Sequence, residues 1–424
     1  MKNFFKKIFL NSNNLDYIKK EIQRLSNKTP AEKIFKAINS YSSESEIRYV
    51  GGCLRKIINK EKIDDIDLAT NLDPEQVCKV LKENLINYYE TGIEHGTITA
   101  IIDEYKFEIT SLREDIFTDG RHAKVKFSKD WRKDASRRDF TINSIYSDLN
   151  GNLFDPYNGK HDIEKGLVNF IGDPDKRIKE DYLRILRYVR FFLNYSKHQH
   201  NPQIVKKLKI NIGGVSKLSK ERLLDELKKI LKIDIFDRLS KDKFSLDIIL
   251  LIFPELKNIK IFFNLNDEKK KLVNENDFIF LLSLMIIDET DNAEYFLYKY
   301  NISKKEKKRI QIINNFFKET VVTKSLSDKR MNKVFYYNGK QAVIDIINFK
   351  IIKSKKLDKD LIKLHEQYKD KDLPFMPIGA DTLMSKYNIP EGKLLGIKLK
   401  LIEEEWVRND FKITDKQVEN IINS

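Results

Sequence analysis

The chain has 424 residues, with Gly 15, Pro 9 and Cys 2, and 41% of its residues are hydrophobic. Those counts exclude collagen-like, low-complexity and wholly disordered chains. Lys+Arg 79 against Asp+Glu 64 leaves a net charge of +15. That surplus points to a polyanion, either nucleic acid or an acidic membrane surface, although a solvated surface in a lysine-rich proteome gives the same sign.

At roughly 150 residues per domain, the length predicts two to four units. Cys53 and Cys78 give neither a disulfide framework nor a zinc knuckle, so a reducing compartment is expected. The opening MKNFFKKIFL lacks the apolar core of a signal peptide. The longest apolar run, residues 278–287, is about half of the roughly 20 residues a membrane span needs. A soluble, cytoplasmic protein is expected.

In chain order, residues 1–45 read as helical, with Ile18, Ile22, Leu25, Ile34 and Ile38 at helical spacing. Ile47–Val50 reads as a strand ended by Gly51-Gly52. Residues 65–70 alternate as a second strand, and residues 74–84 form a helix capped by Asp73. Thr97–Ile102 and residues 105–110 read as a hairpin around Asp103-Glu104. A strand over 143–149 leads into the turn Asn150-Gly151. After Gly172 helical segments dominate, among them 222–231, 278–287 and 307–317, with basic runs between them. The fold class is therefore α+β: a small β-sheet with helices, then a long, basic, all-helical extension.

Four motifs carry chemistry. Gly51-Gly52-Cys53-Leu54-Arg55 runs from a strand into a helix. Glycines let a phosphate approach the backbone, and Arg55 adds a charged contact. Asp65 and Asp67 follow and share one strand face, as two hard oxygen ligands for Mg²⁺ would. Glu108 sits on an alternating strand that can bring it beside the aspartates as a third carboxylate, or leave it merely exposed.

Asp119-Gly120-Arg121-His122 is followed by Arg137-Arg138-Asp139-Phe140-Thr141-Ile142-Asn143. Arg138 is a candidate triphosphate ligand and Asn143 a candidate partner for a ribose hydroxyl. His122 reads as a loop residue. In the run Glu180 to Arg190, Asp181 and Arg184 stand i and i+3 on one expected helix, with Arg187 and Arg190 rotating away from them. A carboxylate beside a guanidinium matches the Watson–Crick edge of cytosine or adenine, an amino group beside a ring-nitrogen acceptor. An ordinary intrahelical salt bridge has the same residues.

From Tyr49 to Phe192 these segments, in this order, resemble the class II nucleotidyltransferases, the CCA-adding enzymes and bacterial poly(A) polymerases. His95-Gly96-Thr97, Glu108-Ile109-Thr110 and Asp155-Pro156-Tyr157-x-Gly159 belong to the same match. Pro377-x-Gly379-x-Asp381, Gly396, Trp406 and Phe411 look like the tail of bacterial CCA-adding enzymes. Tyr88 to Gly96 lacks the Gly-Arg-Arg-Phe-like stretch of the poly(A) polymerase branch. Lys56 replaces a usually acidic residue, and Ala123 a usual proline.

The resemblance implies template-independent addition of C, C and A to the 3′ end of tRNA from CTP and ATP. Asp65 and Asp67 would hold Mg²⁺; the strand pattern, apart from the resemblance, makes Glu108 the candidate third catalytic carboxylate. Gly52, Arg55 and Arg138 would hold the triphosphate. Asp181 and Arg184 would select the base, and Arg187 and Arg190 would contribute to the nucleotide pocket, beside Asn143 from the residue reading. The implied division is an N-terminal helical segment (1–45), a catalytic head (46–172), a neck (173–235), a body (236–350) and a tRNA-binding tail (351–424). No membrane and no obligate protein partner are expected. Poly(A) tailing, CC-only or A-only addition, and a non-catalytic RNA-binding protein are the alternatives.

Overall fold

The computed structural model describes all residues except 1, 119–122, 233–234, 324–327 and 355–357; the side chains of 2–14, 115–118, 123–124, 320–323 and 328 are also not described. The motif Asp119-Gly120-Arg121-His122 and the side chain of Ala123 lie outside the described residues. The chain divides into two compact units, Met1–Ile230 and Leu231–Ser424.

The first unit opens with helices α1 (Lys2–Lys28) and α2 (Ala31–Asn39). Ile18, Ile22, Leu25, Ile34 and Ile38 are all buried, as their spacing requires. Ser26 Oγ lies 3.0 Å from Tyr49 Oη, tying α1 to the first strand. The strands are β1 (Ile47–Val50), β2 (Ile66–Thr70), β3 (Asn87–Gly92), β4 (Thr97–Ile102), β5 (Tyr105–Ser111), β6 (Arg113–Thr118), β7 (Ala123–Phe127), β8 (Tyr146–Ser147) and β9 (Leu153–Phe154). Seven form one mixed sheet in the order β3-β4-β5-β2-β1-β8-β9, and β6 and β7 pair separately. Only β2 and β5 run parallel in that sheet. That pairing places Asp67 directly beside Glu108.

The connecting helices are α3 (Gly52–Ile58), α4 (Pro74–Glu83), α5 (Trp131–Arg137) and α6 (Gly159–Lys165). Asp73 caps α4 in a capping box with Gln76. Beyond the sheet lie α7 (Pro174–Glu180), α8 (Leu183–Tyr195), α9 (Pro202–Asn211) and α10 (Lys220–Ile230). Aromatic contacts seat α8 on the loops after α5 and α6: Phe140 meets Phe191 at 5.3 Å, and Phe170 stacks on Tyr188 at 5.9 Å.

Two expectations change. The strand over 143–149 shrinks to Tyr146–Ser147, because Asn143 and Ser144 donate back to Phe140 and Thr141 in a 3₁₀ turn. The separate ribbon β6–β7 and the sheet-edge strand β3 are additional; β3 is exposed at most positions and shows no alternation.

The described residues of the second unit form helices only. Helix Phe278–Ile286 is buried from Ile279 to Ile286, so its all-round apolar sequence is a core and not a span. No helix among the described residues is long and apolar enough to cross a membrane. Trp406 is buried in the core, and the half-buried Phe411 packs edge to face against it at 5.1 Å. In the basic run 304–309, Arg309 donates to the buried Asp345.

Gly159 bears on the site through Thr141. A Cβ at Gly159 would fall 2.1 Å from the Thr141 carbonyl oxygen, a backbone atom that cannot swing away. Gly159→Ala should destabilise by about 1–3 kcal/mol. Gly213→Ala, where a Cβ meets open space, should stay within about 0.5 kcal/mol of the parent. Urea unfolding midpoints of the two variants check this.

Candidate active site

At the end of β1 the backbone turns at Gly51 with φ +68°, a conformation that favours glycine. Its N–H donates to the Ile145 carbonyl at 3.1 Å, joining the turn to the segment after Asn143. A Cβ on Gly52 would lie 3.6 Å from Asp67 Oδ2. The absent side chain therefore keeps the face of that carboxylate open. Lys56 forms an ion pair with Asp64, immediately before Asp65.

Asp67 lies in β2 with Glu108 in register beside it, whereas Asp65 falls just before β2 begins at Ile66, so the expected shared strand face is not formed. Asp65 and Glu108 are exposed. Burial, then the neighbouring charge of Glu108, pushes the Asp67 carboxyl above its ordinary range; Asp65 adds to this, while Arg138 and Arg55 oppose it. A carboxylate raised by burial and like charge gains from a nearby cation. Among the described residues, no three His, Cys, Asp or Glu side chains enclose a metal by themselves. Two open aspartates instead fit an ion of the Mg²⁺ type, which takes one or two carboxylates and fills its shell with phosphate and water oxygens.

Beside Asp67 opens a cleft of about 520 Å³. Of the sequence-predicted residues, Gly52, Arg55, Asp67, Arg138, Asn143, Asp181, Arg184, Arg187 and Arg190 line it, whereas Asp65 and Glu108 stand outside the lining. Arg113, Arg137, Asp139 and Phe191 complete it. Among the described residues, seven arginines thus face three aspartates, a polyanion-seeking balance.

Buried carboxylates, Asp139 within the lining and others behind it, fix most of these arginines. Asp134, almost fully buried, accepts from Arg137 Nε at 2.8 Å, Arg138 Nη2 at 3.2 Å and Tyr146 Oη at 2.6 Å. Asp139 accepts from Arg187 Nε at 2.6 Å and from Asn143 Nδ2 at 2.9 Å. Asn143 Oδ1 in turn accepts from Arg55. The Asn143 amide is therefore a bridge between Arg55 and Asp139, which leaves one N–H and one lone pair for any ribose contact. Phe191 has the guanidinium carbons of Arg190, Arg55 and Arg187 at 4.3, 4.9 and 5.4 Å from its ring centre, a cation–π arrangement.

The run 180–190 is not one helix. Glu180 ends α7, Asp181 is extended (φ −153°, ψ 105°), and α8 begins at Leu183. Asp181 Oδ1 accepts the Leu183 N–H at 3.1 Å, which ends one helix and starts the next. Asp181 and Arg184 therefore do not form the intrahelical pair that i,i+3 spacing suggests. Asp181 Oδ2 accepts from Arg222 Nη2 at 2.7 Å, and Arg184 Nη1 donates to Glu180 Oε2 at 2.6 Å. Arg190 Nε donates to the buried Glu226. Arg222 and Glu226 share one face of α10 at i,i+4, and sequence reading did not single them out. Their partners lie 41 and 36 positions away, and only the i,i+4 spacing on a predicted helix hinted at a shared role.

Residues 47–169 match the Poly A polymerase head domain family. The human mitochondrial CCA tRNA nucleotidyltransferase 1 is 46% identical over 189 residues, 44% of this chain and 44% of that protein; with this relative the match spans less than half of either chain. The mouse mitochondrial CCA tRNA nucleotidyltransferase 1 is 32% identical over 373 residues, 87% of this chain and 84% of that one. The chain belongs to the CCA tRNA nucleotidyltransferase family. Members of that family generally use divalent metal ions. In fold, the chain is similar to a Bacillus stearothermophilus CCA-adding enzyme solved with CTP, with a TM-score of 0.65 at 20% identity, covering 92% of this chain and 95% of that one. The family likeness therefore extends through the helical half as well as the head.

The buried acids of this nucleotidyltransferase fold make its stability pH-dependent. Burial alone would raise Asp134 and Asp139, but Arg138 and Arg137 beside the first and Arg187 beside the second hold each at about 2. Unfolded aspartates titrate near 3.9. The stabilisation is thus complete above about pH 4 and fades as pH falls toward 2. Urea midpoints should be level from about pH 6 to 5 and drop steeply below about pH 4. Asp134→Ala, which removes the buried partner of two half-buried arginines, should cost about 3 kcal/mol at neutral pH.

Proposed function

We propose that this chain completes tRNA 3′ ends, adding C, C and then A from CTP and ATP with release of pyrophosphate. The observation that carries the reading is one cleft lined by Asp67, Arg138, Asp181 and Arg184, in a chain of the CCA tRNA nucleotidyltransferase family. Within it, residues 46–172 are the catalytic head, 173–235 the neck, 236–350 the body, and 351–424 the tail on the acceptor arm. A cytoplasmic location fits the two free thiols, Cys53 and Cys78.

Gly51-Gly52, Arg55 and Arg138 receive the triphosphate, the glycines by giving room and the arginines by charge-assisted bonds. Asp65 and Asp67 hold Mg²⁺, with Glu108 supporting them as the neighbouring charge. When bound, the ion supplies Lewis-acid activation of the hydroxyl and neutralises phosphate charge. The tRNA 3′ oxygen then bonds to the α-phosphorus, the bond from that phosphorus to the β-bridging oxygen breaks, and pyrophosphate departs. Asp181 accepts from the exocyclic amino group of cytosine or adenine. Arg184 donates to the adjacent ring nitrogen, since its described bonds, to Glu180 Oε2 and the Arg177 carbonyl, take two of five N–H donors. Arg187 and Arg190 complete the pocket wall, and Asn143 lies toward the ribose.

The direct test is an end-point assay on a tRNA transcript ending at the discriminator base, with Mg²⁺ and CTP and ATP singly and together, followed by sequencing of the 3′ ends. Two C residues with CTP alone, and CCA followed by arrest with both, are expected. CC without A, a long A tail, or no extension would each replace the reading. Asp67→Ala should abolish incorporation and leave tRNA binding within about twofold. Binding should weaken steeply with salt, because each phosphate neutralised by Lys or Arg releases counterions; filter binding across a salt series reads the slope.

A further inference from the structure

One side chain behind the cleft connects its two ends. Arg177, on α7, is 12% exposed. Its Nη2 donates to two successive carbonyls, that of Arg137 and, at 2.6 Å, that of Arg138. Its Nη1 donates to Glu180 Oε2. Its own carbonyl accepts from Arg184 Nη1 at 2.7 Å, and the same nitrogen reaches Glu180 Oε2 at 2.6 Å. Its side chain thus holds the backbone that carries Arg138, while the Arg184 guanidinium is tied to it through the shared Glu180 carboxylate and the Arg177 main-chain carbonyl.

This is not an ordinary helix-end contact. A basic side chain near a helix C-terminus usually bonds the last carbonyls of its own helix. The carbonyls held by Arg177 belong to the end of α5, 40 and 39 positions earlier. A planar fork can span two carbonyls and a carboxylate at once, whereas an ammonium is a compact point charge that satisfies fewer of them. The Coulomb attraction of Glu180 for two arginines does not by itself fix where Arg184 stands relative to the head. The pair of carbonyl bonds adds that constraint.

We propose that Arg177 is a positioning residue for nucleotide choice: it fixes Arg184 relative to Arg138, so that base edge and triphosphate are read in one register. This rests on the roles given above to Arg138 and Arg184. Arg177 touches neither base nor phosphate. Its loss lets Arg184 shift, and a displacement of about 1 Å can cost up to about a hundredfold.

The test uses the full chain with Mg²⁺, the transcript ending at the discriminator base for CTP against UTP, and one ending in CC for ATP against GTP. Arg177→Ala should lower the ratio of kcat/KM for the correct over the wrong nucleotide about tenfold or more. It should raise KM for CTP more than it lowers kcat, with a melting temperature within a few degrees of the parent. Arg177→Lys should fall between the two, and it keeps the test usable if the alanine variant does not fold. Parent-like selectivity in either active variant would overturn the proposal and leave the function standing. Failure of the unaltered chain to incorporate CTP or ATP would overturn the functional reading, and this inference with it.

Discussion

Seven guanidinium groups in one cleft repel one another unless something stands behind each. Two unit charges roughly 6 Å apart repel by about 3 kcal/mol at an effective dielectric near 20. Carboxylates of the first unit relieve that repulsion. Asp134 backs Arg137 and Arg138, Asp139 backs Arg187, Glu180 backs Arg184, and Glu226 backs Arg190. Arg113 donates to the His95 carbonyl, and Arg55 is not among these ion pairs. It is held by the Asn143 amide and by the faces of Phe191 and Tyr195.

Asp134, Glu180 and Glu226 lie outside the lining and Asp139 is buried within it, so the forward-facing donors keep their attraction for a polyanion. Asp67 is in the opposite situation. It faces the cleft, burial and Glu108 push its carboxyl up, and Arg138 and Arg55 compensate only in part. One end of the cleft thus favours a divalent cation while the remainder favours phosphate. A nucleoside triphosphate carrying its metal satisfies both demands together.

The break at Asp181 serves the same arrangement. A continuous helix would have turned Asp181 and Arg184 toward each other and consumed both in a surface pair worth a few tenths of a kcal/mol. The extended residue instead gives Asp181 to Arg222, and leaves Arg184 to Glu180. Carboxylate and guanidinium then line the same cleft without cancelling each other. The turn is stabilised locally, by the Leu183 N–H bond to the Asp181 side chain.

Much of this was legible in the sequence. Periodicity gave α1, α2, α4 and the hairpin β4–β5, because local burial patterns and caps act over a few residues. The glycines, Asp65-x-Asp67 and Arg138 were marked by residue type and spacing. The strand over 143–149 was overstated, since its backbone bonds close a 3₁₀ turn. The tertiary structure alone decided that β5 lies parallel to β2 and sets Glu108 beside Asp67. It also decided which acid serves which arginine, Asp134, Asp139 and Glu226 among them. Sequence by itself fixes which charges exist and where local hydrogen bonds form; the pairing of charges dozens of residues apart depends on how sheet and helices pack, and no short-range pattern encodes it.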